Sequence, residues 1–259
     1  MRSHTGLVFA ERDSGPLRLD LYLPDENGPH PLVLVVHGGA WMHGDRTQVG
    51  DVRRQTDRGW AVASIDYRLT DAAAHPAQIR DCRAALRWLR ARAGEFDLDP
   101  DRVVAQGFSA GGHLVCLLGT APDTDFGASE VHPEESHRVD GVVAFFPVTD
   151  LPTANATAAD DADHPAPESK LVGGPIREHR DAARDASPVA YVDGDEPPFL
   201  VVHGSADDVV PREQSETLVT ALADADDAVT YHVVAGGGHG GFEDPAIPPL
   251  VDGFLDRRR

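Results

Sequence analysis

Two cysteines, two methionines, one lysine and few aromatic residues are what this 259-residue chain has least of. The two cysteines, Cys82 and Cys116, each fall inside an amphipathic segment, so a disulfide framework is excluded and both read as small buried apolar groups. No apolar run of signal-peptide length opens the sequence, and none approaches the roughly 18 to 20 residues of a membrane span. A cytoplasmic protein with no membrane partner is the expectation. Positive charge is also scarce: the formal net charge is -20, and Lys170 is the sole lysine. Nucleic acid is thereby excluded as a partner, because phosphate binding needs clustered cations. The terminal Arg257-Arg258-Arg259 is too short to change this and reads as a solvated helix end.

The acidic excess is the composition of a salt-adapted protein, whose surface self-repels at low salt and is screened at high salt. The melting temperature should therefore rise between low and molar NaCl. A midpoint that salt leaves unchanged or lowers would count against this reading.

What the sequence does have is alternation of strand-like apolar runs with helix-period segments, the pattern of an α/β fold with a mostly parallel sheet covered on both faces. Eight strands are expected, near 5–10, 17–23, 31–37, 60–66, 102–108, 139–146, 198–203 and 229–235. Helices are expected over 46–58, 77–92, 110–119, 212–224 and 246–257. In the second of these Ile79, Cys82, Leu86 and Leu89 form one face, and Arg80, Arg83, Arg87 and Arg90 lie largely elsewhere. The length fits a single domain over 1–259, with insertions at about 121–138 and 149–196 that are rich in Asp, Ala and Pro. Both are expected on the side of the sheet where the chemistry is, the second as a partly helical lid.

Four motifs carry chemistry. Residues 107–111, Gly-Phe-Ser-Ala-Gly, sit between the strand Val103-Val104-Ala105 and a helical segment, the context of a nucleophile elbow that thrusts Ser109 outward at a helix N-terminus. His37-Gly38-Gly39-Ala40-Trp41 follows the strand Leu32–Val36 and offers the N–H groups of Gly39 and Ala40, with that of Ala110, as donors to a tetrahedral oxyanion. His37 itself reads as orienting this loop. After the second insertion, Phe199–Val202 ends in His203-Gly204-Ser205-Ala206-Asp207-Asp208, which projects Asp207 as the candidate acid. Val233-Val234 then runs into a glycine-rich loop carrying His239 as the candidate base. The order Ser109, Asp207, His239 is that of a Ser-His-Asp hydrolase of the α/β class. His75, His132, His137, His164 and His179 lack a strand-end setting, no paired metal-ligand spacing occurs, and neither a metal nor a cofactor is implied.

These motifs, together with Asp66-Tyr67-Arg68-Leu69, His75-Pro76, Asp81, GFSAGGHL over Gly107–Leu114 and Ser187-Pro188, resemble the α/β-hydrolase carboxylesterases near the hormone-sensitive lipase group. Within these the chain looks most like the subgroup related to bacterial feruloyl and acetyl esterases. The resemblance implies a serine carboxylesterase that hydrolyses short-chain acyl or aryl esters of small molecules through an acyl-enzyme. Asp66, Tyr67 and Arg68 are implied to be structural. The chain begins almost at its first strand, so a more open site than in capped relatives is expected. The form H-G-G-x-W is also similar to kynurenine formamidases, which makes an arylformamidase the first alternative, and a non-catalytic ligand receptor on the same scaffold the second. Oligomeric state is not readable from the sequence.

Overall fold

A computed structural model describes residues 1–127, 131–154 and 165–258. Its eight strands are β1 (Arg2–Ala10), β2 (Leu17–Leu23), β3 (His30–Val36), β4 (Ala61–Ile65), β5 (Leu98–Phe108), β6 (Gly141–Phe145), β7 (Phe199–Gly204) and β8 (Val229–Val234). They form one sheet in the order β1-β2-β4-β3-β5-β6-β7-β8. Pairing is antiparallel on both sides of β2 and parallel from β4 to β8.

The helices are α1 (Arg53–Thr56), α2 (Ala77–Ala91), α3 (Ala93–Phe96), α4 (Ala110–Thr120), α5 (Leu151–Ala154), α6 (Pro167–Val172), α7 (Arg180–Asp185), α8 (Glu213–Asp224) and α9 (Ile247–Asp256), with a 3₁₀ turn at Pro188–Tyr191. All seven residues of β3 are buried, as a strand covered on both faces requires. Its alternate side chains enter two cores. Leu32, Leu34 and Val36 meet the face covered by α2, α4 and α8, while Val33 and Val35 meet the face holding Trp60, Val251, Phe254 and Leu255. Cys82 and Cys116 are buried in the first core as free thiols.

Four expectations need correction. The helix over 46–58 is only the four-residue α1. Gly50, inside that range, has φ of 75°, a left-handed turn that a helix cannot contain, and Arg46 is drawn into the loop by Asp20 and Asp66 at 3.0 and 3.1 Å. Strand β5 begins four residues early because Asp97, at φ 54°, ends α3 sharply and Leu98 pairs at once with His30.

The described part of the insertion 121–138 does not stay on the side of Ser109: Phe126 stands edge-on to His75 and Tyr191, residues 128–130 lie outside the described residues, and the rest runs back along α2. It returns to the beginning of β5, where the Asp140 N–H donates to Val103 at 2.7 Å and the Asp140 carboxylate accepts from the Val103 N–H at 2.8 Å. The arginines of α2 hold it there. Arg83 donates to the carbonyls of Thr124 and Ala121, Arg87 to that of Glu135, and Arg90 to those of Ser136 and Arg138. A polar helix face thus satisfies the carbonyls of a segment with little regular structure.

The C-terminus is likewise not simply solvated. Arg258 lies 3.5 Å over the Phe254 ring and donates to the Asp140 carbonyl, a cation–π contact. Arg259 lies outside the described residues. The partly helical part of 149–196 consists of α5, α6, α7 and the 3₁₀ turn, and residues 155–164 lie outside the described residues. Among the described residues no helix is long and apolar enough to cross a membrane.

Candidate active site

The site is built at the C-terminal ends of β3, β5, β7 and β8, where a doubly wound sheet opens its crevice. Ser109 occupies the step from β5 to α4 with φ 53° and ψ -116°, a strained conformation for a residue with a side chain. The tight turn demands its flanking glycines. A Cβ on Gly107 would stand 2.2 Å from the Gly111 carbonyl oxygen, and one on Gly111 would stand 2.1 Å from that of Val36.

The Ser109 hydroxyl lies 3.0 Å from His239 Nε2, and His239 Nδ1 lies 2.8 Å from Asp207 Oδ2. A carboxylate accepts, so Nδ1 carries the ring proton and Nε2 accepts from the serine. The Phe146 ring stands edge-on to the imidazole at 4.6 Å. Residues separated by 130 and 32 positions are therefore joined in one hydrogen-bonded line. The glycine-rich loop that carries His239 is pinned at its base by His232, which lies 2.8 Å from Asp244.

Asp207 is fixed on all sides. Its side chain is fully buried, Oδ1 accepts from the N–H groups of Val209 and Val210 at 2.9 Å each, and Oδ2 is also 3.2 Å from His203 Nε2. The His203 Nε2–H donates as well to the Val210 carbonyl at 2.9 Å, and Nδ1 accepts from the Ser215 hydroxyl at 2.7 Å. Burial, above all, pushes the His203 imidazole below its ordinary pKa, against the opposing pull of that carbonyl and of Asp207. A neutral His203 with its proton on Nε2 suits both acceptors. Asp208 is exposed, and Asp150 accepts from the Thr153 hydroxyl at 2.9 Å.

The loop after β3 lies against the elbow, since a Cβ on Gly38 would be 2.9 Å from the Phe108 oxygen and 3.5 Å from Ser109 Cβ. Gly39, Ala40 and Trp41 follow with φ of 109°, 54° and 57°. Among the described residues, the N–H groups of Gly39, Ala40 and Ala110 donate to no protein acceptor. They remain free for a ligand anion. His37 stacks on Tyr67 with centroids 4.3 Å apart and donates through Nδ1 to the Gly38 carbonyl at 2.7 Å. The Tyr67 hydroxyl donates to the His37 carbonyl at 3.1 Å, while Arg68 pairs with the buried Asp81 at 2.7 Å. These side chains brace the loop. No cluster of three or more His, Cys, Asp or Glu capable of holding a metal occurs among the described residues.

Ser109, His239, Asp207, Gly39, Ala40 and Ala110, the six residues that the motifs single out, all come to this one end of the sheet. Two further histidines join them there that the motifs contain without assigning a role: His203, four residues before Asp207 on the same run, and His113, on the first turn after Ser109. Each also has a partner far along the chain, Ser215 for His203 and Trp41 and Ala186 for His113.

Buried neutral histidines carry a pH consequence. Burial pushes His113 down to about 3 and, with nearby arginines assisting, His137 down to about 4. It also lowers His37, His75 and His203. In the unfolded chain each titrates near 6.5, so below that value the unfolded state binds more protons and stability falls with pH. The stability is complete above about 6.5 and lost progressively toward 3. His113 alone should cost about 2 kcal/mol at pH 5. Denaturant midpoints at pH 7.5 and 5.0, taken in 1 M NaCl to screen the acidic surface, should differ in that direction; equal midpoints would contradict neutral burial.

The BD-FAE family profile matches residues 19–222. The esterase LipC of Mycobacterium tuberculosis is 37% identical over 225 residues, covering 82% of this chain and 53% of that protein. The probable carboxylic ester hydrolase LipM of the same organism is 33% identical, covering 76% of this chain and 46% of its own length. The chain thus spans about half the length of these curated relatives. Among solved structures, a truncated carbohydrate esterase from gut microbiota superposes with a TM-score of 0.90 at 31% identity, over 100% of this chain and 96% of that one. The butyrate-bound esterase Est2 of Thermogutta terrifontis superposes at 0.82 with 25% identity, over 98% and 94%.

Proposed function

The chain belongs to the BD-FAE family of α/β-hydrolase fold proteins, and from that premise we propose that it is a single-domain serine carboxylesterase acting on small-molecule esters of short acyl chains. The observation that carries the reading is the unbroken line from Ser109 Oγ through His239 to the buried Asp207, at 3.0 and 2.8 Å. The esterase relatives support the ester as substrate, and butyrate-bound and propionate-bound forms of Est2 support a short acyl group.

In this mechanism Ser109 Oγ attacks the ester carbonyl while its proton passes to His239 Nε2. Asp207 holds Nδ1–H and stabilises the imidazolium. The tetrahedral oxyanion is received by the N–H groups of Gly39, Ala40 and Ala110. Collapse breaks the C–O bond, and the leaving alkoxide takes the proton from His239. Water, deprotonated by the same imidazole, then attacks the acyl-serine and releases the acid.

The described part of segment 149–196 lines a cleft of about 760 Å³ of its own, through Asp150, Arg184, Ser187 and Ala190, and no triad residue lines it. A single panel tests the reading. Two- and four-carbon 4-nitrophenyl esters should turn over faster than sixteen-carbon ones below the solubility limit, and a fluorophosphonate should label Ser109. Preferential cleavage of an N-formylated aromatic amine would establish the formamidase instead. Absence of labelling and of all turnover would leave the ligand receptor.

A further inference from the structure

Ala40 and Trp41 are consecutive non-glycine residues in the left-handed region, at φ 54° and 57°. Such backbone persists only where surrounding structure over-determines it. Gly39, at φ 109°, tolerates its own conformation, and a Cβ there would stand 2.2 Å from the His43 oxygen. Ala40 has too little side chain to anchor anything. Beside the Tyr67–His37 brace at the start of the loop, the side chain within the strained pair that can anchor it is that of Trp41.

Trp41 is 1% exposed. Its carbonyl accepts from the Thr70 N–H at 2.9 Å, and its indole Nε1–H donates to His113 Nδ1 at 3.2 Å, with the two rings edge-on. On the other side of the same imidazole, Nε2 lies 2.7 Å from the Ala186 carbonyl. These partners leave one arrangement. Nδ1 accepts, so Nε2 bears the proton and donates. Burial keeps the ring neutral, with its pKa pushed down to about 3. His113 is itself fully buried on α4, and its own N–H donates to the Ser109 carbonyl at 2.9 Å. One side chain thus touches the loop after β3, the helix that follows the nucleophile elbow and the insertion that ends at β7.

We propose that His113 is a positioning residue for the oxyanion loop: by accepting from the Trp41 indole, with its tautomer set by the Ala186 carbonyl, it keeps the Ala40 N–H where a tetrahedral oxyanion forms. This rests on the reading of Gly39, Ala40 and Ala110 as oxyanion donors. Both ring nitrogens of His113 are occupied by Trp41 and Ala186, so it takes no part in proton transfer. Its effect is on where a donor points. Displacement of a group by an ångström, caused away from the chemistry, costs about 100-fold in rate, and removal of one oxyanion donor costs about 100- to 1000-fold.

His113→Phe removes both bonds, and Trp41→Phe removes only the indole donor. His113→Asn places an acceptor near the Nδ1 position without reaching Ala186, which isolates the Trp41 bond. Each variant is assayed with 4-nitrophenyl butyrate and with a trifluoromethyl ketone, which binds by forming an oxyanion on the serine. In His113→Phe and Trp41→Phe, kcat should fall about 10- to 100-fold with KM nearly unchanged. Ketone affinity should fall by the same factor, while inhibition by 1-butanol, which has the acyl chain's length and no anionic oxygen, stays at the parent level. The double variant should lose no more than the worse single, and His113→Asn should recover most of the activity.

A merely structural role would not weaken the ketone in step with kcat while sparing 1-butanol. If His113→Phe does not fold, Trp41→Phe and His113→Asn decide alone. Folded variants with kcat within threefold of the parent, or a loss of kcat without loss of ketone affinity, would overturn the proposal. Failure of the underlying reading looks different, because the parent itself would then neither hydrolyse the ester nor form the ketone adduct.

Discussion

Ser109→Ala should fold as the parent does and lose about a million-fold in ester turnover, the scale seen when a triad serine is removed and only binding and the oxyanion hole remain. The fold is indifferent to the hydroxyl for structural reasons. Ser109 makes no side-chain cap to α4; its hydroxyl is held by His239. The strained turn at φ 53° is imposed by Gly107, Gly111 and the Phe145 carbonyl, which accepts from the Ser109 N–H at 2.9 Å. Alanine preserves all of these. Removing one partly exposed hydrogen bond changes stability by about 1 kcal/mol, so matched circular dichroism and a nearly matched denaturant midpoint should accompany the lost activity. Alanine-variant turnover within a hundredfold of the parent would mean that another group is the nucleophile.

Sequence pattern made the sheet readable because apolar runs buried on both faces leave little room for alternatives. Seven of the strands lie within a few residues of their expected positions, and β5 departs only through the left-handed turn at Asp97. The site was legible for a related reason. A nucleophile elbow, a glycine loop and two strand ends are local devices whose chemistry is written within a few residues of each motif.

What escaped was long-range. Nothing local says that Arg83, Arg87 and Arg90 face a returning loop and not water, because their acceptors in it are backbone carbonyls 38 to 48 positions away. The expected helix over 46–58 gives way in part for a similar reason, Arg46 reaching Asp20 26 positions away, and in part to the left-handed turn at Gly50. His203 and His113 were visible as letters but not as roles. A histidine's role is set by which of its two nitrogens is occupied, and by what.

The same dependence on partners decides which carboxylate orients the base. Asp207, Asp208 and Asp150 all follow strand ends, so position alone leaves three candidates. Burial and hydrogen bonding separate them. Asp208 is exposed, and Asp150 serves Thr153 at the start of α5. The Asp207 side chain is fully buried, with Oδ1 taken by two backbone N–H groups and Oδ2 facing both His239 and His203.

Asp207→Asn would keep the shape of this cradle, but an amide cannot accept at all of these places. Every partner around the carboxylate is an N–H donor, so the NH2 of asparagine must confront at least one of them. If it turns toward His239, the imidazole accepts at Nδ1 and places its proton on Nε2, where it can no longer take one from Ser109. A wrong tautomer of this kind costs a serine protease about 10⁴ in turnover. If the amide oxygen faces the histidines, the NH2 opposes the N–H groups of Val209 and Val210, and stability falls by about 1 to 3 kcal/mol. Measured kcat for Asp207→Asn should therefore drop by about 10⁴, with a lowered denaturant midpoint. Asp208→Asn and Asp150→Asn should stay within about tenfold of the parent, a barrier change of roughly 1.4 kcal/mol or less. Collapse of turnover in either of these, with Asp207→Asn still active, would place the orienting carboxylate elsewhere.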